Sequence, residues 1–181
     1  MAEKPTEVTS TALAATPTAG RVGIVDVRAI LIVAGVSGSG KTTIATALAQ
    51  RLGLPFEEGS QLHPPPDIAK TNSAHPLDDR EWWSWLEKIA AWIDGRRQLS
   101  TGGVITSPAL RRSHRDFLTR GRPDVRIVYL HGERALIASR LAAREEHSML
   151  SSLLDHQFSI LEEPQAHSPG ARESTGRCGP G

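Results

Sequence analysis

Short apolar runs alternate along this chain with longer stretches in which apolar residues recur every three or four positions. The runs at 30–34, 103–106 and 126–130 have the length and content of strands buried on both faces, and a shorter strand is expected to begin at Leu54. The spacing after Asp79 predicts an amphipathic helix. Its apolar face consists of Trp82, Trp85, Leu86, Ile89, Trp92 and Ile93. At this periodicity we interpret the tryptophans as core residues rather than as a surface that stacks on nucleic-acid bases.

The same pattern predicts further helices, and glycines and prolines mark where elements end. The expected helices cover 43–52, 111–120, 133–144 and 153–161. Gly53 and Gly95 are expected to end the first helix and the tryptophan-rich helix, and three consecutive prolines at 64–66 predict a loop. Strands that alternate with helices in this way predict an α/β fold, with a parallel sheet covered by helices on both faces.

The length of 181 residues supports one domain, and the composition changes at both of its ends. Residues 1–21 are rich in Thr, Ala and Pro and lack the basic start and apolar core of a secretory signal, so we expect a disordered leader. Residues 22–162 are expected to form the folded domain. Residues 163–181 show no apolar periodicity, and we expect a disordered tail.

Charge and cysteine content argue against several classes of protein. The formal net charge is +1, which gives no reason to expect a nucleic-acid-binding or membrane-surface protein. No apolar run approaches the roughly 20 residues of a transmembrane helix. The single cysteine, Cys178, excludes an intramolecular disulfide framework and fits the reducing cytoplasm, where we expect the protein to be located.

The segment Gly35–Thr42, with the sequence GVSGSGKT, indicates a phosphate-binding P-loop. It fits the pattern Gly, four residues, Gly-Lys-Ser/Thr, and it lies between an apolar strand and the start of a helix, as such a loop requires. Its glycines permit positive φ angles and let successive N–H groups converge on phosphate oxygens. Lys41 adds a charge that can reach the transferred phosphate, and the Thr42 hydroxyl is placed to bind Mg²⁺.

A P-loop predicts nucleotide binding but no particular reaction. The chain lacks the Asn/Thr-Lys-x-Asp motif with which GTPases read guanine, and it is short for an ATPase motor. A small kinase fits its length.

Further motifs follow in an order that resembles the gluconokinase family, small kinases that phosphorylate D-gluconate with ATP. The resemblance covers roughly residues 30 to 164, and Leu-His-Pro at 62–64 is its most specific piece. The matching segments are FEEGSQLHP at 56–64, IAK at 68–70, PL at 76–77, WSWL at 83–86, ALRRSHRD at 109–116, VYLHG at 128–132, SRLAAR at 139–144, QF at 157–158 and LEEP at 161–164.

The resemblance implies a P-loop kinase fold of the nucleoside-monophosphate-kinase or shikimate-kinase type. It implies ATP and Mg²⁺ as cofactors and D-gluconate as the small-molecule partner, with 6-phosphogluconate as product. Gluconate would bind over the carboxyl ends of the strands, and the segment around residues 144 to 152 corresponds to a lid that closes over ATP. Members of the family are often dimeric, so a homodimer is compatible with the sequence.

The resemblance also implies roles for individual residues. The expected catalytic residues are Lys41 and Arg111. The expected acceptor-binding residues are Ser60, His63 and Arg111. The expected metal ligands are Thr42 and Glu58. The expected nucleotide-binding residues are Gly35, Ser37, Gly38, Ser39, Gly40, Lys41, Thr42, Thr43, Arg140 and Arg144. Arg111 stands where the family has a lysine, and a cation there can meet the gluconate carboxylate or the phosphate in transfer.

Several of these residues have a plainer interpretation, which the sequence leaves open. Glu58 is alternatively a surface carboxylate at a strand end, and His63 a loop histidine fixed by the neighbouring prolines. Arg111 is alternatively a solvated arginine at the start of a helix. One of Arg140 and Arg144 is alternatively a residue whose aliphatic stem covers the core.

The chain departs from the family pattern at functional positions. The family has an aspartate before x-x-His-Pro, the best candidate there to accept the proton of the acceptor hydroxyl. This chain has Ser60, which is no base near neutral pH. After Leu-Glu-x-Pro the family continues into a final strand and helix. This chain becomes polar there, so we expect both elements to be missing and one sheet edge to be exposed.

Three hypotheses follow from the motifs and the departures. The first is an ATP-dependent gluconokinase, impaired or not. The second is an ATP-binding relative without turnover, and the third is a small kinase for another sugar acid. Nucleotide binding without transfer would select the second, and transfer to a different acceptor would select the third.

Overall fold

The computed structural model describes residues 28–62, 78–143 and 150–164, except for the side chains of 150–152. Its strands are β1 (Ile30–Ala34), β2 (Phe56–Glu57), β3 (Gly103–Ser107) and β4 (Val125–Tyr129). Its helices are α1 (Lys41–Leu52), α2 (Asp79–Gln98), α3 (Arg112–Thr119), α4 (Arg134–Ala142) and α5 (Leu150–Ser159), and a 3-10 turn covers Gly59–Leu62. The leader at 1–21, the proline loop at 64–66 and the tail from residue 165 onward lie outside the described residues.

The four strands form one parallel sheet in the order β2-β3-β1-β4. β1 lies at its centre, with Ile32 opposite Ile105 of β3 on one side and Ile127 of β4 on the other. Phe56 of β2 lies opposite Val104, which extends the sheet beyond β3. Because the strands are parallel, their carboxyl ends meet at one edge of the sheet, where ligands bind in folds of this class.

Helices cover both faces of the sheet. Alternate residues of each strand point to opposite faces, so each strand contributes side chains to both layers. On one side Val33 packs with Ala45 of α1. On the other side Ile32 lies in a cluster with Ile89 of α2 and Leu118 of α3. Burial on both faces explains why the strands are apolar at successive positions, and it confirms the predicted α/β fold.

The tryptophan-rich helix α2 contributes its apolar face to this second cluster, as predicted. The buried members from α2 are Trp82, Trp85, Leu86, Ile89, Ala90 and Ile93, with Trp92 packed against them. Trp83 lies outside the predicted stripe and remains 39% exposed. The periodicity therefore identified the buried face of α2 correctly.

α2 begins at a capping box and ends later than expected. The Asp78 carboxylate accepts a hydrogen bond from the Glu81 N–H at 2.8 Å, and the Glu81 carboxylate accepts one from the Asp78 N–H at 2.9 Å. The expectation that Gly95 ends this helix is wrong, because the helix continues to Gln98. Ser100, with a φ of 53°, takes the left-handed position after the helix. A single glycine inside a helix costs only about 1 kcal/mol relative to alanine, which the packing of α2 outweighs.

α4 and α5 form a separate layer at the carboxyl end of the sheet. Ile137 and Leu141 of α4 lie in a buried cluster with Leu154 of α5 and with Val36 of the P-loop. The helix expected at 153–161 begins earlier than predicted, since α5 covers Leu150–Ser159. The last two helices therefore pack directly on the nucleotide-binding loop.

β4 forms one edge of the sheet. It pairs with β1, and within the described residues no strand pairs with its other side. Ile127, Val128 and Tyr129 are accordingly only half-buried, whereas every residue of β3 is buried. None of the helices in the described part of the chain combines the length and apolar content needed to span a bilayer.

Candidate active site

The P-loop is a tight turn between β1 and α1 whose backbone needs glycine. Gly35, Gly38 and Gly40 have φ angles of 147°, 78° and 93°, a region that side chains with a Cβ rarely adopt. A Cβ at Gly38 would lie 2.7 Å from the side chain of Leu141, so this glycine also allows α4 to pack against the loop. The loop is therefore shaped by backbone conformation and by packing together.

The start of α1 offers N–H groups to an anion. Gly40 occupies the N-cap position and provides no side-chain cap, and no acidic residue lies in the first turn. The N–H groups of the first turn have no partner within the helix, and they lie at its positive end. The buried hydroxyl of Ser39 also has no hydrogen-bond partner among the described residues. Unpaired donors at a helix start fit a phosphate group.

Lys41 reaches back over this loop. Its Nζ donates a hydrogen bond to the carbonyl oxygen of Val36 at 3.0 Å. Burial lowers the pKa of Lys41 to about 8, and the nearby Glu58 carboxylate opposes this shift in part. A bound phosphate would place further negative charge beside the Lys41 ammonium group and so stabilise its charged form.

Glu58 lies where the ends of β2 and β3 meet the start of α1. Its Oε2 accepts a hydrogen bond from the Thr42 hydroxyl at 2.8 Å, and its Oε1 accepts one from the Thr106 hydroxyl. The Ser60 hydroxyl also donates to Oε1, at 3.4 Å. Three hydroxyl groups thus converge on one carboxylate, which argues against Glu58 being a plain surface residue.

The Glu58–Thr42 pair has the chemistry of a magnesium site. Mg²⁺ prefers oxygen ligands and is usually held by one or two protein groups together with phosphates and water. The described residues contain no group of three or more His, Cys, Asp or Glu side chains that could hold a metal by themselves. The donor set therefore fits a metal that binds together with a nucleotide.

The turn that carries Glu58 is fixed by Thr106 and Trp85, neither of which was predicted as a site residue. The Gly59 N–H donates to the Thr106 hydroxyl at 2.9 Å, and the indole N–H of Trp85 donates to the Gly59 carbonyl at 2.7 Å. A Cβ at Gly59 would lie 1.9 Å from the Thr106 carbonyl oxygen. Thr106 and Ser107 are the two polar residues at the end of the buried strand β3, which is a sequence feature that could have drawn attention to Thr106.

Arg111 lies at the N-cap position of α3 and makes an ion pair with Asp79. Its Nη1 lies 3.0 Å from Asp79 Oδ1, and both side chains are substantially exposed. The loop before it is held from behind, because the buried Arg115 guanidinium donates to the carbonyl oxygens of Ala109 and Leu110 at 3.0 and 2.8 Å. The Pro108 carbonyl accepts from the Gly35 N–H at 3.3 Å, which ties the loop to the P-loop.

The other predicted site residues differ in how close they lie to the P-loop and to Glu58. Ser60 is exposed beside Glu58, and Thr43 is exposed in the first turn of α1. Arg140 is exposed on α4, and none of the hydrogen bonds between described residues joins it to the P-loop. His63 and Arg144 lie outside the described residues.

A buried amide also contacts the P-loop. Gln157 of α5 accepts from the Ser37 N–H at 2.7 Å and donates to the Ser37 hydroxyl at 3.0 Å. The Gln-Phe pair at 157–158 is one of the matching motifs, but the sequence alone indicates no role for Gln157. Only the folded structure brings residues that lie 120 positions apart into contact.

Comparisons with known proteins identify relatives of this chain. A family model described as an AAA domain matches residues 31–162. A gluconokinase of Gluconobacter oxydans is 40% identical over 144 residues, which cover 80% of this chain and 81% of that protein. The thermoresistant gluconokinase of Escherichia coli is 36% identical over 137 residues, covering 76% of this chain and 78% of that protein.

A solved structure gives the same result for the fold. The crystal structure of a gluconokinase from Sinorhizobium meliloti superposes with a TM-score of 0.70 at 39% identity, and the match covers 78% of this chain and 79% of that chain. The motif series, the parallel sheet and these relatives agree, and the chain belongs to the gluconokinase family of P-loop kinases.

Proposed function

We propose that this protein transfers the γ-phosphate of ATP to D-gluconate and forms 6-phosphogluconate. The observation that carries the proposal is the contact between Thr42 and Glu58, at the point where the P-loop helix starts and the strands end. It joins a phosphate-binding loop to a carboxylate in a chain that belongs to the gluconokinase family. ATP is accordingly the phosphate donor, and the acceptor binds over the adjoining strand ends.

The phosphate side of the site works by positioning and by charge. The N–H groups at the start of α1 bind the phosphates, and the Lys41 ammonium group leaves the Val36 carbonyl to stabilise the charge that moves onto the β- and γ-phosphate oxygens. The Ser39 hydroxyl gains a partner in the same step. Because the N–H groups are held by the start of α1 before ATP arrives, the chain spends little free energy on ordering them.

The Thr42 hydroxyl and the Glu58 carboxylate hold Mg²⁺ in this proposal. When bound, the ion neutralises charge on the β- and γ-phosphates and orients them. Thr106 fixes the direction of the Glu58 carboxylate through its hydroxyl, and it fixes the following turn through the Gly59 N–H. Thr106 therefore acts as a positioning residue for the metal ligand.

The acceptor side is built around Arg111 and Ser60. Arg111 gives up an exposed ion pair with Asp79, which is a weak interaction, and binds the gluconate carboxylate instead. The Ser60 hydroxyl hydrogen-bonds the acceptor hydroxyl, and it lies 3.4 Å from Oε1 of Glu58. His63 and, on the nucleotide, Arg140 and Arg144 complete the proposed site.

The absence of a carboxylate at Ser60 lowers the rate in this proposal without abolishing it. A general base contributes typically about 10²–10⁴-fold. In phosphoryl transfer the transition state is loose, and most of the catalysis comes from positioning and electrostatic stabilisation, which the P-loop retains.

A cytoplasmic location, where ATP and Mg²⁺ are supplied, and a homodimer complete the proposal.

A panel of acceptors tests the proposed function. Purified protein is incubated with Mg-ATP and D-gluconate, and in parallel with other sugar acids and with polyols, and ³¹P NMR identifies the phosphorylated product. The proposal predicts 6-phosphogluconate as the main product. Transfer to another acceptor alone would replace gluconate in the proposal, and ATP binding without any transfer would reject a kinase.

A further inference from the structure

We propose that Gln157 is a positioning residue of the nucleotide site, which fixes the Val36–Ser37 peptide of the P-loop from the side of α5. The proposal concerns the ATP half of the site and goes beyond the proposed function, on which it rests only for the reaction that is measured. Gln157 does not reach the phosphates in this account. It acts through the conformation of the loop.

The contact is a two-point clamp on one residue. The Gln157 amide oxygen accepts from the Ser37 N–H at 2.7 Å, and its amide nitrogen donates to the Ser37 hydroxyl at 3.0 Å. The Gln157 side chain is buried, with a relative exposure of 6%. Both ends of a buried amide are thus satisfied by a single P-loop residue, which is a specific arrangement because an unpaired amide would be costly there.

The clamped peptide is the one that holds Lys41. The Ser37 N–H and the Val36 carbonyl belong to the same planar peptide unit, so fixing the direction of one fixes the other. The Val36 carbonyl accepts from Lys41 Nζ at 3.0 Å and from the Ser39 N–H at 3.2 Å. Gln157 therefore determines where the Lys41 ammonium group rests in the free protein and how the next turn of the loop is closed.

The surroundings make the clamp rigid. Val36 lies in a buried cluster with Leu141 of α4 and Leu154 of α5, and Leu141 occupies the space beside Gly38. One side of the loop thus contacts α4 and α5. A hydrogen-bonded amide inside an apolar cluster specifies one loop conformation, which apolar packing alone would not.

Replacements at both partners separate the hydrogen bonds from the packing. Gln157→Met keeps the length and volume of the side chain and removes both hydrogen bonds. Ser37→Ala removes only the hydroxyl contact and keeps the N–H contact. Gln98→Met, at an exposed position at the end of α2, is the matched control for exchanging an amide for a thioether.

The test measures ADP binding by calorimetry and steady-state kinetics on the full-length variants. We expect Gln157→Met to weaken ADP binding and to raise KM for ATP about tenfold each, with KM for gluconate changed less than twofold. Ser37→Ala should weaken ADP binding about threefold in the native background. Added to Gln157→Met in a double variant, it should weaken ADP binding no further. Gln98→Met should match the native protein.

Several results would overturn the clamp. One is ADP binding by folded Gln157→Met that stays within twofold of the native value. Another is a rise in KM for gluconate equal to the rise in KM for ATP, because this would indicate a general loss of structure. If Gln157→Met does not fold, unchanged ADP binding by Ser37→Ala overturns it. Native protein that binds ADP in a clamp-dependent way but does not phosphorylate gluconate would support the clamp and reject the proposed function.

Discussion

The phosphate half and the acceptor half of the site lie at the same edge of the sheet, but they are held in different ways. On the phosphate side, Lys41, Thr42 and Ser37 each have a hydrogen-bond partner within 3.0 Å, and the loop packs on the buried side chains of α4 and α5. On the acceptor side, Ser60 is exposed and its hydroxyl lies 3.4 Å from its partner, and the Arg111 guanidinium pairs with the exposed carboxylate of Asp79.

This difference indicates how the site divides its tasks. Phosphates present the same charges in every nucleotide reaction, so a preorganised loop serves them best. The acceptor must be selected and then released, and residues with weak partners can exchange them for substrate at small cost. The phosphate half should therefore control the rate, and the acceptor half should control which molecule is phosphorylated.

The largest expected effect comes from Lys41. Lys41→Ala should lower kcat roughly 10²–10³-fold, because the charge on the transferred phosphate loses its mobile cation. The melting temperature should not fall, since the variant removes an ammonium group whose burial is unfavourable. Steady-state assays and a thermal melt check both parts. A kcat within threefold of the native value would mean that the two halves are not divided as described.

Glu58 tests whether the metal belongs to the phosphate half. Glu58→Gln should raise the Mg²⁺ concentration needed for half-maximal activity at least about tenfold, because an amide is a poorer magnesium ligand than a carboxylate. Glu57→Gln, one residue earlier at the end of β2, is the matched control and should leave the Mg²⁺ requirement unchanged. Equal effects of both variants would place the metal elsewhere.

Arg111 tests the acceptor half. Arg111→Ala should raise KM for gluconate about 10- to 100-fold, the range expected for one charge-assisted hydrogen bond. KM for ATP should change little. Asp79→Asn, which removes the competing partner of Arg111, should lower KM for gluconate slightly or leave it unchanged. A rise in KM for ATP larger than that for gluconate would assign Arg111 to the phosphate half.

The smallest effect is a proton taken up on nucleotide binding. In the free protein the pKa of Lys41 is about 8, and bound phosphate favours the charged form and raises this pKa. Above pH 8, Lys41 is partly deprotonated in the free protein. Nucleotide binding must then add a proton to Lys41, so ADP affinity should fall as pH rises from 8 to 9. Calorimetry at pH 8.5 in two buffers with different ionisation enthalpies measures this uptake, and Lys41→Met should abolish it.

The fold was largely predictable because its elements are encoded locally. The runs at 30–34 and 103–106 are strands, and the period of the tryptophan-rich segment gave the buried face of α2. The error at Gly95 arose because glycine permits a helix end without requiring one. Packing of the helix beyond it decided the outcome.

The sequence predicted those parts of the site whose residues lie close together in the chain. The P-loop residues lie in eight consecutive positions and have a recognisable pattern. Thr106 and Gln157 were missed as positioning residues because their partners lie 47 to 120 positions away in the chain. A polar residue in a buried strand, or an amide on an apolar helix face, indicates only that some partner exists. The fold decides which partner it is.

The most direct test of the account is the initial rate of ADP formation by purified protein with Mg-ATP, with and without D-gluconate, using Lys41→Ala as the blank. We expect a rate that depends on gluconate and lies well above the blank, because the intact phosphate half outweighs the missing carboxylate at Ser60. A rate with gluconate no higher than the blank, in protein that still binds ADP, would contradict it.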